Sequence, residues 1–388
     1  MKQALVLVLV FGMAATAAAQ DFQVGARSKG MGGSYTAFED DPTSIWLNPA
    51  GIATQPDQLS IQYQSYTQYE PGDAVFTIAA ERGIAEVGYI DPPLLPSFLG
   101  LVFQLGNDKA IGIAYARPFH MKLTYDFSGS ASDVEGLEEQ QFSRFRIAYG
   151  QAFRLKEAGT AGFLPTIAAG VGLDLGYTKY EETSPPAGGV STKDTASGLG
   201  FGIGILVTVY DNTENLKINF GAAYQSKVDF QFQVADQLFP VWDWPDMVNM
   251  GITIYALTGQ TLRVTVDMQL IQWSGAISSA SNVGRDDFRN STNLSFGFEY
   301  KLALQEKLWL LPRAGFRRLE APWSDKDALP AAGFANLLID TGNSEFNVFT
   351  IGAGVRFQTA DGKGRGVDVG VDFGADTYNI AFGYVHEF

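Results

Sequence analysis

The chain has 388 residues, no cysteine and a formal net charge of −15, from 42 acidic and 27 basic side chains. Disulfides and thiolate metal sites are therefore excluded. The acidic balance argues against nucleic acid as a partner.

The first residues are Lys2, an apolar run from Ala4 to Met13, and Ala17-Ala18-Ala19. This pattern reads as a secretory signal peptide over residues 1–19, with an apolar core too short to span a membrane as a helix. Its removal leaves 369 residues and, with Lys2 lost, moves the net charge from −15 to −16. An exported chain without cysteine, carrying 43 Gly, 16 Tyr and 28 Phe, fits a soluble periplasmic β-protein or an outer-membrane barrel.

Val24–Ala53 comes next. It is too rich in glycine for a stable helix and lacks strand alternation. Gly30, Gly32 and Gly33 permit backbone angles closed to other residues. Asp40-Asp41-Pro42 and Asn48-Pro49-Ala50-Gly51 are turn punctuation. Tyr35, Phe38, Ile45, Trp46 and Leu47 are too apolar for a solvated tail. The spacing predicts a compact plug over residues 20–56, with Asn48 at its key turn and Gln55 exposed, held inside a container made by residues 57–388.

In that container the dominant period is two. Leu294, Phe296, Phe298 and Tyr300 alternate with polar or small residues, as do Phe349–Phe357 and Val367–Phe373. Such alternation gives one apolar and one polar face. Strands are predicted at 59–67, 98–104, 109–125, 141–156, 164–181, 197–211, 214–231, 246–257, 261–275, 290–303, 306–319, 345–358, 365–375 and 377–387. Many match the roughly 9–11 residues a tilted strand needs to cross a bilayer. Short turns, such as those at 106–108 and 212–213, alternate with long connections at 68–97, 126–140, 182–196, 232–245, 276–289 and 320–344. This is the rhythm of periplasmic turns and external loops. The expected fold is all-β: a transmembrane antiparallel barrel of about 14 strands with an N-terminal plug in its lumen. Strand-like pieces in 73–91 make 16 the alternative count.

Parity places Arg144, Arg146, Arg154, Lys217, Arg263, Lys301, Arg313, Arg317 and Arg356 in the lumen, with Asp174, Asp267, Glu299, Asp368 and Asp372. So many cations suit an anionic head group, and Arg offers bidentate geometry for a carboxylate. Arg313 and Arg317 are the first candidates, with Arg356, Arg144 and Arg146 behind them. The alternative is a set of Arg–Asp ladders that stabilise the lumen. Residues 232–247 cluster Phe239, Trp242 and Trp244 in an expected external loop, which reads as a capture site for an apolar ligand or as part of an aromatic girdle. Pro118 interrupts a long strand where it cannot donate to the ladder. The stretch Arg117, Pro118, Phe119 and His120 is therefore a candidate gap or bulge in the wall, with Arg117 on the lipid side. Pro312 reads as structural. With only two histidines, His120 and His386, and no cluster at metal-ligand spacing, enzymatic readings are weak and no cofactor is expected.

Three stretches resemble the FadL/OMPP1/TodX family of outer-membrane transporters for hydrophobic compounds. They are GARSKGMGGSYTAFEDDPTSIWLNPAGIA at the start; Phe239–Ser274 with Trp242, Pro245, Asn249, Gly251, Leu262, Asp267 and Trp273-Ser274; and LPRAGFRRLEAPW from Leu311. The terminal alternation ending in His386 and Phe388 resembles the signal read by the barrel-insertion machinery. The resemblance implies a monomeric, plugged barrel among outer-membrane lipids. It would passively admit a fatty acid or hydrocarbon and release it sideways at a kink in its third strand. The PorV-type proteins of type IX secretion carry a similar opening motif, so a protein secretion or assembly factor is the alternative.

Overall fold

The computed structural model describes residues 22–38, 40–64, 96–126, 135–156, 161–184, 190–231, 243–276, 289–320, 345–374 and 377–388. After two short helices, α1 (Ala26–Gly30) and α2 (Ser44–Leu47), and a 3-10 turn, η1 (Pro49–Thr54), every further long element is a strand. These are β1 (Gln58–Gln64), β2 (Phe98–Gly106), β3 (Lys109–Asp126), β4 (Glu135–Arg154), β5 (Gly162–Ser184), β6 (Val190–Asp211), β7 (Leu216–Gln225), β8 (Asp246–Ala256) and β9 (Leu262–Gln272). The series ends with β10 (Ser291–Tyr300), β11 (Leu302–Gln305), β12 (Leu308–Glu320), β13 (Glu345–Gln358), β14 (Gly364–Gly374) and β15 (Thr377–Glu387).

Apart from β10 and β11, consecutive strands pair antiparallel, and β1 closes on β15 in register from Gln58↔Glu387 to Gln64↔Ala381. Strands β10 and β11 are one stave interrupted at Lys301, since both pair with β12. The barrel therefore has 14 staves and closes without residues 73–91, which lie outside the described residues. Pro312 stands opposite the interruption and offers no N–H there, while the Lys301 N–H turns to the Thr261 carbonyl at 2.7 Å.

The alternation produces a surface opposite to that of a soluble protein. On β4 the outward row Phe145, Ile147, Tyr149 and Phe153 is 37% to 51% exposed, while the inward Arg144 and Arg146 are 1% and 0% exposed. Leu173 and Leu175 on β5 and Leu199 and Phe201 on β6 continue the outward apolar band. A sheet closed in hydrocarbon satisfies all its backbone groups laterally and needs its apolar row outside. The molecule is an outer-membrane-type β-barrel.

Several expected boundaries move. The long connections at 126–140 and 182–196 are strand over their described residues, because β4, β5 and β6 run 20, 23 and 22 residues. Only about half of each is needed to cross a bilayer. The surplus stands beyond it on the long-loop side. The strand expected over 214–231 ends at Gln225. Residues 226–231 leave the wall because Gly176, Gly198 and Gly200 give them space on its inner face, with Val228 and Asp229 lying against those glycines.

Candidate functional site

The N-terminal segment, over its described residues 22–38 and 40–56, lies inside the ring of strands. Its contacts run from η1 against β3–β6 on one side to α1 against β12–β15 on the other. Two features admit it. Inward glycines on the wall meet its backbone: a methyl at Gly170, Gly221, Gly315 or Gly370 would overlap Pro49, Thr36, Gly32 or Ala26. Within the segment, Gly32 and Gly33 adopt φ of +66° and +80°, which favours glycine. Gly30 faces Gly352 so closely that an added Cβ would sit 3.0 Å from the Gly352 Cα.

Charge then fixes the segment. Arg27 and Lys29 of α1 are buried, and an isolated cation there would carry a large desolvation cost. Arg27 Nε and Nη2 each donate to Glu299 of β10 at 2.8 Å, and Nη1 donates to Asp40 at 2.6 Å. Glu299 also accepts from Arg263 Nη1 at 2.5 Å and Arg313 Nε at 2.6 Å. Arg313 reaches Asp368 at 2.7 Å, and Arg356 holds Asp368 bidentately at 3.0 and 2.7 Å. Nearer the long-loop end, Asp372 accepts from Lys29 Nζ at 2.9 Å and Arg317 Nη2 at 2.7 Å. Asp267 of β9 receives the backbone instead: the N–H groups of Tyr35 and Thr36 donate to it at 2.8 and 2.7 Å, and the Ser34 hydroxyl at 2.9 Å.

The α2–η1 half is tied on the opposite wall. Arg146 holds Asp174 through two nitrogens at 2.6 and 2.8 Å, and donates to the Trp46 carbonyl at 2.9 Å. Asn48 Nδ2 donates to the carbonyls of Thr36 (2.9 Å) and Ile205 (3.0 Å), while its Oδ1 accepts from Ala50 N–H at 3.2 Å. Pro49, Ala50 and Gly51 turn directly over β5. Gln55, expected to be exposed, is buried at 2% and donates to the carbonyls of Asp41 and Gly51.

Toward the long-loop end the N-terminal segment and the wall meet in an aromatic cluster. Trp244 is fully buried, with ring centroids 4.7 Å from Phe22, 5.5 Å from Trp46 and 5.8 Å from Phe142. Phe22 also meets Trp273 at 5.5 Å, and the Arg144 guanidinium lies 4.5 Å from the Trp244 ring. Trp244 is thus neither solvent-exposed nor part of a girdle; a two-way backbone pairing with Val228, at 3.1 Å each way, carries it inward. Phe239 and Trp242 lie outside the described residues. Asp243 accepts from the Phe230 N–H at 2.8 Å. Burial pushes its carboxyl up in spite of that bond and of nearby Lys227.

Around Pro118 the register slips: Ala116 pairs with Arg144 and Phe119 with Phe142, so one extra residue of β3 opposes β4. This is a β-bulge, as a proline without an N–H requires. It also overturns the expected lipid-side position of Arg117, which is only 6% exposed, because the extra residue breaks the parity on which that position rested. The Arg117 N–H donates to the Ser97 carbonyl at 2.7 Å, just before β2 begins. His120 continues the β3 ladder opposite Gln141.

The structure therefore gathers Arg313 and Arg356 around Glu299 and Asp368, sets Arg317 beside Lys29 on Asp372, and joins Arg144 and Arg146 on Asp174. All five are engaged with wall carboxylates or the N-terminal segment. Sequence reasoning missed Arg27, Lys29 and Phe22 as the segment's own contributions. The only available signal was a pair of cations beside glycines in a stretch already expected to be enclosed.

No family model matches the sequence, and no curated protein matches it. Solved structures do. A crystal structure of a Pseudomonas aeruginosa FadL homologue aligns with a TM-score of 0.59 at 14% identity, over 95% of this chain and 100% of that one. The Ralstonia pickettii toluene transporter TbuX aligns at 0.56 with 16% identity, over 94% and 98%. The Pseudomonas putida toluene transporter TodX aligns at 0.55 with 15% identity, over 94% and 99%. The chain thus has the fold of the FadL-type outer-membrane barrels over nearly its full length. The family resemblance in its sequence is matched at the level of fold.

Proposed function

We propose that this barrel passively admits hydrophobic molecules through an outer membrane. Residues 20–56 act as a plug, and the molecule leaves sideways beside Pro118. The observation that carries the reading is the aromatic cluster of Trp244, Trp273, Trp46 and Phe22. It joins the plug to the long-loop mouth and gives an apolar ligand a dry surface on which to displace aromatic side chains. Solved structures of the same fold are described as toluene transporters, which supports a hydrophobic cargo. The arginines expected to meet a carboxylate are already paired with Glu299, Asp368, Asp372 and Asp174. An acid at the outer mouth would have to break such a pair, so a neutral hydrocarbon fits there better than a fatty acid.

The bulge at Arg117–Pro118 supports the exit. Pro118→Val restores a ladder donor and suits a strand. Uptake of labelled toluene by cells carrying this variant is expected to fall at least several-fold, while heat-modifiable gel mobility shows a folded barrel. Undiminished uptake would remove the exit from this position. Absence of toluene uptake by the unaltered protein, against a strain lacking it, would remove the transport reading.

A further inference from the structure

The outer surface of the wall carries a feature that the transport reading leaves unused. On β14 and β15 the lipid-side face is marked by Val367 and Phe382, which are 53% and 55% exposed. Strand parity puts Arg365 and His386 on that same face. Register sets the two directly opposite each other, with Phe357 of β13 beside Arg365 and Leu59 of β1 beside His386. Two residues farther from the short turns the matching row is Val355, Val367, Tyr384 and Ile61, all apolar or aromatic. Two residues the other way, β14 gives out in a turn that carries exposed Lys363. A cationic row therefore borders an apolar one at the short-turn edge, the level at which headgroups meet hydrocarbon.

This pair differs in kind from the lumen arginines. Those point inward and meet wall or segment carboxylates, whereas Arg365 is the only arginine on the outward face of the short-turn half of the wall among the described residues. No acid shares its row, although the chain carries a net charge of −15. The acids next to the pair in sequence are engaged elsewhere. Glu387, on the opposite face of β15, accepts from the Gly364 N–H at 2.5 Å, and Asp361 in the turn accepts from the Thr359 hydroxyl. The His386 ring stands in an aromatic ladder, 6.2 Å from Tyr384 and 6.4 Å from Phe388.

We infer that Arg365 and His386 form a binding site for the phosphate of an anionic phospholipid in the leaflet on the short-turn side. Directly opposed residues of a sheet have Cβ atoms about 4.5–5.5 Å apart, so the guanidinium and the imidazole reach one phosphate, which arginine grips bidentately. The acyl chains lie along Val367, Tyr384 and Phe382. The row has no acid to receive the amine of a zwitterionic headgroup, which favours a lipid with net negative charge. The site depends on the barrel's place in a membrane and not on what crosses it.

The test is native mass spectrometry of the full-length barrel in mild detergent with phosphatidylglycerol, phosphatidylcholine or glycerol phosphate added. One phosphatidylglycerol is expected to be retained saturably, several-fold more than phosphatidylcholine, and glycerol phosphate not at all. Arg365→Gln should lower its occupancy about tenfold, the loss of one charge-assisted contact. His386→Phe keeps the ring ladder without the nitrogens and should lower occupancy several-fold, so it serves even where Arg365→Gln fails to fold. Lys109→Gln, which removes an exposed cation from the same rim on β3, should change nothing. Occupancy unmoved by the first two variants, or lowered equally by Lys109→Gln, would overturn the site. Equal retention of both lipids would overturn its charge preference, and equal binding of glycerol phosphate would show a plain anion site and overturn the lipid.

Discussion

Glu299 ties the N-terminal segment to the wall through Arg27. It accepts two bonds from Arg27 at 2.8 Å, one from Arg263 at 2.5 Å and one from Arg313 at 2.6 Å, with no exposure to solvent. Glu299→Gln keeps the shape and one acceptor oxygen but removes the charge. Removing one partner of a buried ion pair costs about 3–5 kcal/mol. Here each guanidinium retains another carboxylate: Asp40 for Arg27 and Arg263, Asp368 for Arg313. That moves the expected cost to the lower end, about 3 kcal/mol. The ratio of tied to released segment should then fall more than a hundredfold, since about 1.4 kcal/mol is tenfold. The wall ladder through Ser295–Glu299 is backbone-made and should survive. Planar-bilayer recordings should show larger and more frequent openings, and a protease added to the folded barrel should cut within residues 22–56 sooner. A double-mutant cycle with Arg27→Gln separates this tie from general damage, with a coupling above 1 kcal/mol expected. Conductance and digestion identical to the unaltered barrel would show that the network is only a bystander to the segment's placement.

Two further perturbations probe the same enclosure from different directions. Gly315→Val puts side-chain atoms where the Gly32 N–H and Met31 carbonyl carbon now lie. It should displace the segment and raise ion conductance while the outward rows of β12 stay intact; a closed, fully folded variant would contradict the close approach. Asp267→Asn replaces an oxygen that receives two backbone N–H groups with a competing donor. Bonds to a charged acceptor are each worth roughly 1.5–3 kcal/mol, so proteolysis near Ser34–Thr36 should accelerate at least tenfold. An unaltered cleavage rate would show that the Asp267 contacts are not limiting.

The wall was readable because its physics repeats along the chain. Each outward Phe, Leu or Ile of β4–β6 and β10 answers to the same hydrocarbon, so alternation of period two located all 14 staves and the order of their turns. Where one residue changed the count, parity failed: the bulge at Pro118 buried Arg117. Where strands continued past the membrane, polar composition disguised them as loops, as at Glu182–Ser184 and Val190–Ala196. The enclosed stretch was legible for a different reason. Apolar residues among turn-forming glycines required a container, and the wall's inward glycines at 170, 221, 315 and 370 are the matching half of that requirement. The partners of the charged groups were not legible. Parity placed Arg313, Arg317 and Glu299 on the lumen side, but a lumen cation faces a wall anion, an anion of the N-terminal segment or a ligand with equal ease in sequence. Arg27 and Glu299 stand 272 positions apart and meet only after the ring has closed. The sequence therefore records which surfaces are apolar and where backbone must pass close to backbone. The closure of the barrel decides which charges are consumed in holding the segment.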